Sequence, residues 1–442
     1  MALHGQQPQV CAEWRECQQM ALDAAARGEY ELFHDLAWRT VQTGPRNDPA
    51  LMFLLARAQT LSGRPHDALV MLVRLVDKGV AATAITDPDF RRTRELPGWP
   101  EVEAAIAAGT SVPLPMPITI TPVAAAPAAS PEPVPTPAPA PTPAPASAPT
   151  AASDATHFSA QRFRPAGLAF DAVSQRFVIG DALGQKLIVV GIGPGHADDM
   201  VRADSAGFDD VVTLGIDAQR GDLWVASAAE ASETSSLHRL QLVSGRPLKT
   251  YRVPSSLGPA RLIDLAVQPS GGVVALDAAG HRLLTLARGA GEVVAGLHLD
   301  LSGAKSIASA GSENIVYIAH DDGIARVDMK ARTVATLAGP KGMDLTGFDS
   351  IRAYRDSIVG LQTAAGKPRQ LVRLKLNATG RGVREASVMD RPIVEADGRV
   401  ILNISGDELY YLAIAAAPAG AATEAGDQTA PVAFVIRRFA LR

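Results

Sequence analysis

The chain has 442 residues, 47% of them hydrophobic, which is enough for two cores rather than one ordinary domain. Its formal net charge of −4 contains no basic tract: residues 1–110 hold 11 Lys and Arg against 14 Asp and Glu, 111–156 hold 0 against 2, and the rest hold 31 against 30. That balance argues against nucleic acid or an anionic membrane as the main partner. The longest apolar runs, such as Tyr410 to Ala417 before Pro418, fall short of the ~20 residues that a membrane-spanning helix needs.

Met1 to Val10 has neither the basic start nor the apolar centre of a signal peptide. Cys11 and Cys17 are the only cysteines, too few to build a structural zinc site alone. On one continuous helix they would sit about 9 Å apart along the axis and on different faces, too far to bridge. With Cys11 ahead of the helix a disulfide becomes feasible, so free thiols and a disulfide both remain open.

Residues 14–45 and 49–80 both read as helical hairpins. In the second, large and small residues stand at Met52, Leu55, Ala56, Gly63, Ala68 and Leu72, and in the first at Cys17, Met20, Ala21, Gly28, Tyr30 and Ala37, positions similar to those of a tetratricopeptide repeat. Gly28 and Gly63 lie 35 residues apart. The pattern resembles tetratricopeptide repeats, whose period is about 34 residues, although Phe33 stands where alanine is usual. The resemblance implies a partner-docking surface within residues 1–110. Asp87 to Ala108 resembles the terminal cap of such a stack, with Phe90, Leu96 and Trp99 available to cover its end.

Residues 111–156 form a Pro/Ala-rich linker, with 14 of the chain's 32 prolines between positions 111 and 155. Proline fixes φ and removes a backbone donor, so a semi-rigid polyproline II spacer reaching on the order of 100 Å is expected, with undocked domains at its ends. Such a spacer, with cysteines confined to one N-terminal segment, points to an extracytoplasmic protein of a bacterium.

From residue 157 to 442 one phrase recurs six times: an alternating apolar run, a polar turn, and further β-rich runs. Its sharpest copy is GLAFDAVSQRFVIGDALGQKLIVV at 167–190, and the first turns fall at Asp171, Asp217, Gln268, Ala310, Tyr354 and Glu395. Steps of 41 to 51 residues predict a six-bladed β-propeller, giving a multidomain α and β fold. Val432 to Leu441 is expected as an outer strand beside Phe158 to Phe163, closing the ring.

The sharp copy resembles blades of NHL-repeat proteins and of the senescence marker protein and gluconolactonase-like family. The second resemblance implies a lactonase with one divalent cation, calcium or zinc, in the channel. That family's leading glutamate is absent, because the first blade is entered through Arg164, Pro165, Ala166 and Gly167, and the second blade enters through Val212, Thr213 and Leu214 without the family's asparagine-glycine pair. Only Asp264 and Asp349 place carboxylates at inner-strand starts, an incomplete set for a hard cation. No H-E-x-x-H, G-x-S-x-G or P-loop string occurs. His196-Ala197-Asp198-Asp199 and His320-Asp321-Asp322 contain ligand-type side chains but read as turn residues.

One face of the ring collects the loops between second and third strands, carrying Asp181, Glu230, Glu233, Asp277, Asp321, Asp322 and Asp407. Connections between blades add Asp209, Asp210 and Asp344, while His281, Lys341 and Lys367 are the evident bases. An acidic mouth suited to a cationic ligand or basic peptide is therefore expected. The leading reading is a non-catalytic scaffold without cofactor, binding a protein or peptide; the alternative is the divergent metal-dependent lactonase.

Overall fold

The computed structural model describes residues 11, 13–76, 78, 80–108, 152–193, 195–229, 233–364, 366, 368–390, 400–415 and 431–442. Helices α1 (Trp14–Ala26), α2 (Tyr30–Thr43), α3 (Pro49–Leu61) and α4 (Pro65–Val76) form two hairpins, followed by α5 (Arg91–Arg94) and α6 (Trp99–Ala108). Each hairpin turns through a left-handed glycine, Gly28 at φ 73° and Gly63 at φ 81°, a backbone region that other residues enter at a cost. Asp48 starts α3 by accepting the Ala50 and Leu51 N–H groups, with Pro49 at the first helical position. Phe90 and Trp99 are buried against the end of the stack and Leu96 is half-buried, so the expected cap is present. Cys11 precedes α1 and is bonded to Cys17, with Cα atoms 5.3 Å apart.

Six four-stranded antiparallel blades follow. Their inner strands are Pro165–Asp171, Asp210–Asp217, Leu262–Val267, Ser306–Ser312, Phe348–Tyr354 and Ile401–Ser405. Each touches the inner strands of its neighbours, and the sixth touches the first, so the ring closes. The first five blades run outward in sequence order, but the sixth consists of Ile401–Ser405, Glu408–Ile414, Val432–Ala440 and, outermost, Ser153–Ala160.

The sixth blade departs from the sequence reading in three ways. The N-terminal strand pairs with Val432–Ala440, Phe158 opposite Phe434, but takes the outer position itself, and the propeller begins at Ser153 rather than 157. Ile401–Ser405 is innermost, whereas the recurring phrase assigns it to the second strand; the expected first strand around Pro392 and Glu395 lies outside the described residues. A blade completed from the other end of the chain contributes only three strands of its own, and this shifts the phrase by one. The slip also inverts faces, because adjacent strands run oppositely. Asp407 therefore lies in the turn between first and second strands, on the face opposite the mouth.

The two domains are docked, which overturns the expectation of independent halves. One apolar cluster continues from Phe33, Trp38 and Leu72 of the helices into Val173, Val211 and Leu242 of the first two blades. The Trp38 indole N–H and the Gln42 amide both donate to the Ala218 carbonyl, Arg74 donates to the Ser174 carbonyl (2.9 Å), and the Ser244 N–H donates to Asp67 (3.1 Å). Gly221, at φ 66°, underlies Trp38, and a Cβ there would meet the ring at 3.0 Å. The propeller groups that hydrogen-bond to the helices, Ala218, Ser174 and Ser244, all lie in turns on the face opposite the mouth. Composition alone marks the linker as a spacer, but the docking determinants lie on α2 and α4, where they read as ordinary amphipathic residues.

Two outcomes test this interface. After cleavage at a protease site inserted between Pro113 and Thr150, the halves should co-elute on gel filtration, and Trp38→Ala, at a cost of about 3–5 kcal/mol, should separate them. Release of the unsubstituted halves would refute the docked arrangement. Asp67 is buried, and burial pushes its carboxyl up to about 6 against the opposing Ser244 hydrogen bond and the Arg64 and Arg176 charges. A raised folded-state pKa means that ionisation costs stability above pH 6, and this cost is relieved as pH falls toward 4. Asp67→Asn should therefore raise the melting temperature above pH 6, with the gain vanishing toward pH 4; a pH-independent difference would contradict the assignment.

Candidate functional site at the channel mouth

At the mouth, four inner strands carry an extra residue near their start. Ala166 and Gly167 oppose the single Gly180, while Val212, Ile263 and Asp349 are the added residues in the second, third and fifth blades. Bulges re-aim side chains, and Gly167, Val212, Ile263 and Asp349 all line one cavity of about 380 Å³ at the channel opening. Lys305 in the fourth blade and Val400 in the sixth complete a ring of six, one from each blade. Beneath it lie Thr213, Asp264, Ser306, Ser350 and Ile401.

Asp264 is the knot of this lower tier. Its Oδ1 accepts the Thr213 hydroxyl (3.3 Å) and the Leu265 N–H (2.9 Å). Its Oδ2 accepts the Ser306 hydroxyl (2.7 Å), the Ile307 N–H (3.0 Å) and Nη1 of Arg352 (3.2 Å). Five donors from blades two to five thus converge on one buried carboxylate, and the guanidinium supplies the opposite charge. Asp349 is held only by charge, 3.7 Å from Lys305 and 3.7 Å from Arg369, and Lys305 also lies 3.4 Å from Asp321.

These residues do not fit a hard divalent cation. Both oxygens of Asp264 are taken up by N–H and O–H donors, and a cationic side chain already sits against Oδ2. Among the described residues no group of three or more His, Cys, Asp or Glu is placed to hold a metal.

The remaining mouth candidates act locally. Asp181 Oδ1 accepts the Arg164 and Leu183 N–H groups, and Asp277 Oδ1 accepts those of Arg261 and Gly280; each thereby staples an outer turn to the incoming inner strand. Asp277 Oδ2 also pairs with Arg282 at 2.8 Å. Asp322 accepts the Ser302 hydroxyl, and Asp210 pairs with Arg164. Asp407, on the far face, holds the Tyr354 hydroxyl, Arg355 and Arg442, and the Tyr354 hydroxyl and the Arg442 charge keep its carboxyl below the usual range. His320 is buried, with its Nδ1 accepting the Asp322 N–H, and burial lowers its pKa. Glu230 and Lys367 lie outside the described residues.

The expected acidic mouth counted carboxylates without their partners. Lys305, Arg352 and Arg369 supply the basic side chains of this cavity, and none of them is a residue type that ligates a cation. Their signal was available: Lys305 directly precedes an inner strand, and Arg352 lies within one.

No protein-family model matches this chain, and no curated protein matches it. Among solved structures it is similar to a chain of a nidogen/laminin complex, with a TM-score of 0.38 and 8% identity over 50% of this chain and 85% of the other.

Loss of Asp264 leaves Arg352 without its counter-charge. Asp264→Ala should cost about 3–5 kcal/mol in urea unfolding, and adding Arg352→Met should restore part of that loss through a coupling of about 0.5–3 kcal/mol. Strictly additive effects would show that the pair does not hold the blades together.

Proposed function

We propose that the chain is a non-catalytic binding protein whose ligand enters the propeller channel at the mouth, with the helical domain fixed on the opposite face as part of the same body. The observation that carries this reading is the saturation of Asp264 by five protein donors, one of them Arg352. A hard divalent cation wants oxygen ligands with free lone pairs, and both oxygens of Asp264 are engaged by donors of the scaffold. The surface of α2 and α4 that meets the propeller is committed within the molecule, so partner docking by the helical repeats is confined to their outward surface.

The Cys11–Cys17 bond supports an extracytoplasmic location, since disulfides persist in oxidising compartments. No described helix is long and apolar enough to cross a membrane.

Purified full-length protein should carry no stoichiometric calcium or zinc by elemental analysis and should hydrolyse no aldonolactone above background. Stoichiometric metal lost in Asp264→Asn would favour the lactonase instead. A photoreactive residue replacing Leu183, exposed in a mouth turn, should crosslink the physiological ligand or partner, whereas one replacing Val334 on an outer edge strand should not. Crosslinking at position 334 alone would move the binding surface off the mouth.

A further inference from the structure

The ring of six at the mouth is divided by chemistry. Blades six, one, two and three are contiguous around the closure and contribute Val400, Gly167, Val212 and Ile263. Blades four and five contribute Lys305 and Asp349, and blade five adds Arg352 and Arg369 to the cavity wall. An apolar arc of four blades therefore faces a charged arc of two. Counting Asp264, the wall holds three cations against two carboxylates, a net charge of one positive.

The distances indicate which charges are available. Asp264 is consumed by the scaffold, Asp349 lies at 3.7 Å from each basic partner, and Asp321, outside the cavity wall, lies 3.4 Å from Lys305, so Asp349 and Asp321 are each farther from their lysine or arginine than a short charged hydrogen bond. Arg352 uses only Nη1, on Asp264, Ser306 and its own chain at Ile351; its Nε and Nη2 have no partner among the described residues. A guanidinium edge with two parallel N–H donors matches a carboxylate or another planar oxyanion pair. Thr213 and Ser306 donate their hydroxyl protons to Asp264, so the donors left for a ligand in this wall are those of the cationic side chains.

Resting on the reading of the mouth as a binding site, we infer that the ligand is a small amphipathic monoanion, an apolar body carrying a carboxylate head. The head lies against Lys305 and the free edge of Arg352, and the body lies along Val212, Ile263 and Val400. The cavity of about 380 Å³ is within the range of small-molecule sites. The charge preference is opposite to the one expected from counting aspartates in the loops.

The test is calorimetric titration of the full chain with three probes of equal chain length: octanoate, octanol and octylammonium. Octanoate should bind most tightly and octylammonium least, with the octanoate advantage shrinking as salt rises. Lys305→Met should weaken octanoate about tenfold without changing octanol, and Lys305→Arg should restore it. Lys305 is exposed at the rim, and circular dichroism checks that both variants remain folded. Val212→Trp, which fills the apolar arc, should weaken octanoate and octanol alike.

Octylammonium binding as tight as octanoate, but lost in Val212→Trp, would overturn the charge assignment and leave the mouth reading intact. Octanoate binding indifferent to both Lys305→Met and Val212→Trp would place the anion elsewhere and overturn the proposal. Absence of binding by all three probes would also overturn it, while crosslinking at Leu183 decides separately whether the mouth binds anything.

Discussion

Closure of the ring is the constraint on which the remaining structure depends. Each blade buries its faces only against its neighbours, so a missing contact between sixth and first blades would expose two apolar faces and a sheet edge. The chain avoids this by drawing the first described strand, Ser153–Ala160, onto the outside of a blade otherwise made from Ile401–Ser405, Glu408–Ile414 and Val432–Ala440. Phe158 stacks on Phe434 with ring centres 5.2 Å apart, and Phe163 meets Phe434 edge-on at 5.3 Å. The seam thus joins residues that are far apart in sequence, and the fold cannot be completed until both ends of the propeller are present.

Closure also fixes the geometry of the channel. With six inner strands held in one ring, a bulge at the same level in several of them turns their extra residues toward a common point. Gly167, Val212, Ile263 and Asp349 share the opening through that repetition, and Lys305 and Val400, just ahead of the other two inner strands, complete the ring. Beneath it, Asp264 ties blades two to five through hydrogen bonds to Thr213, Ser306 and Arg352. A carboxylate that looks like a metal ligand in sequence serves instead as a counter-ion to a guanidinium that itself lines the cavity.

The far face is occupied differently. Trp38 and Gln42 from α2 and Asp67 and Arg74 from α4 meet turn carbonyls and a turn amide of the first two blades. Two of these turns are braced by their aspartates: Asp171 accepts the Val173 and Ser174 N–H groups and Asp217 that of Gln219. The structural aspartates of the repeat thereby prepare a platform on one face, while their counterparts Asp181 and Asp277 set the turns of the other.

Local periodicity made much of this protein legible. Alternation every two residues, punctuated by polar turns at near-regular steps, fixed the number of blades, and Gly28 and Gly63 with their flanking patterns fixed the helical hairpins. These features are written in neighbouring residues, which determine strand, turn and helix by sterics and burial alone. The order of strands in the sixth blade, the far-face position of Asp407, the docking of Trp38 on Gly221 and the pairing of Asp264 with Arg352 were decided only by tertiary structure. Each depends on which distant segment arrives alongside, and a carboxylate, an indole or a glycine carries the same local signal whether its partner is water, a metal, a guanidinium or another domain.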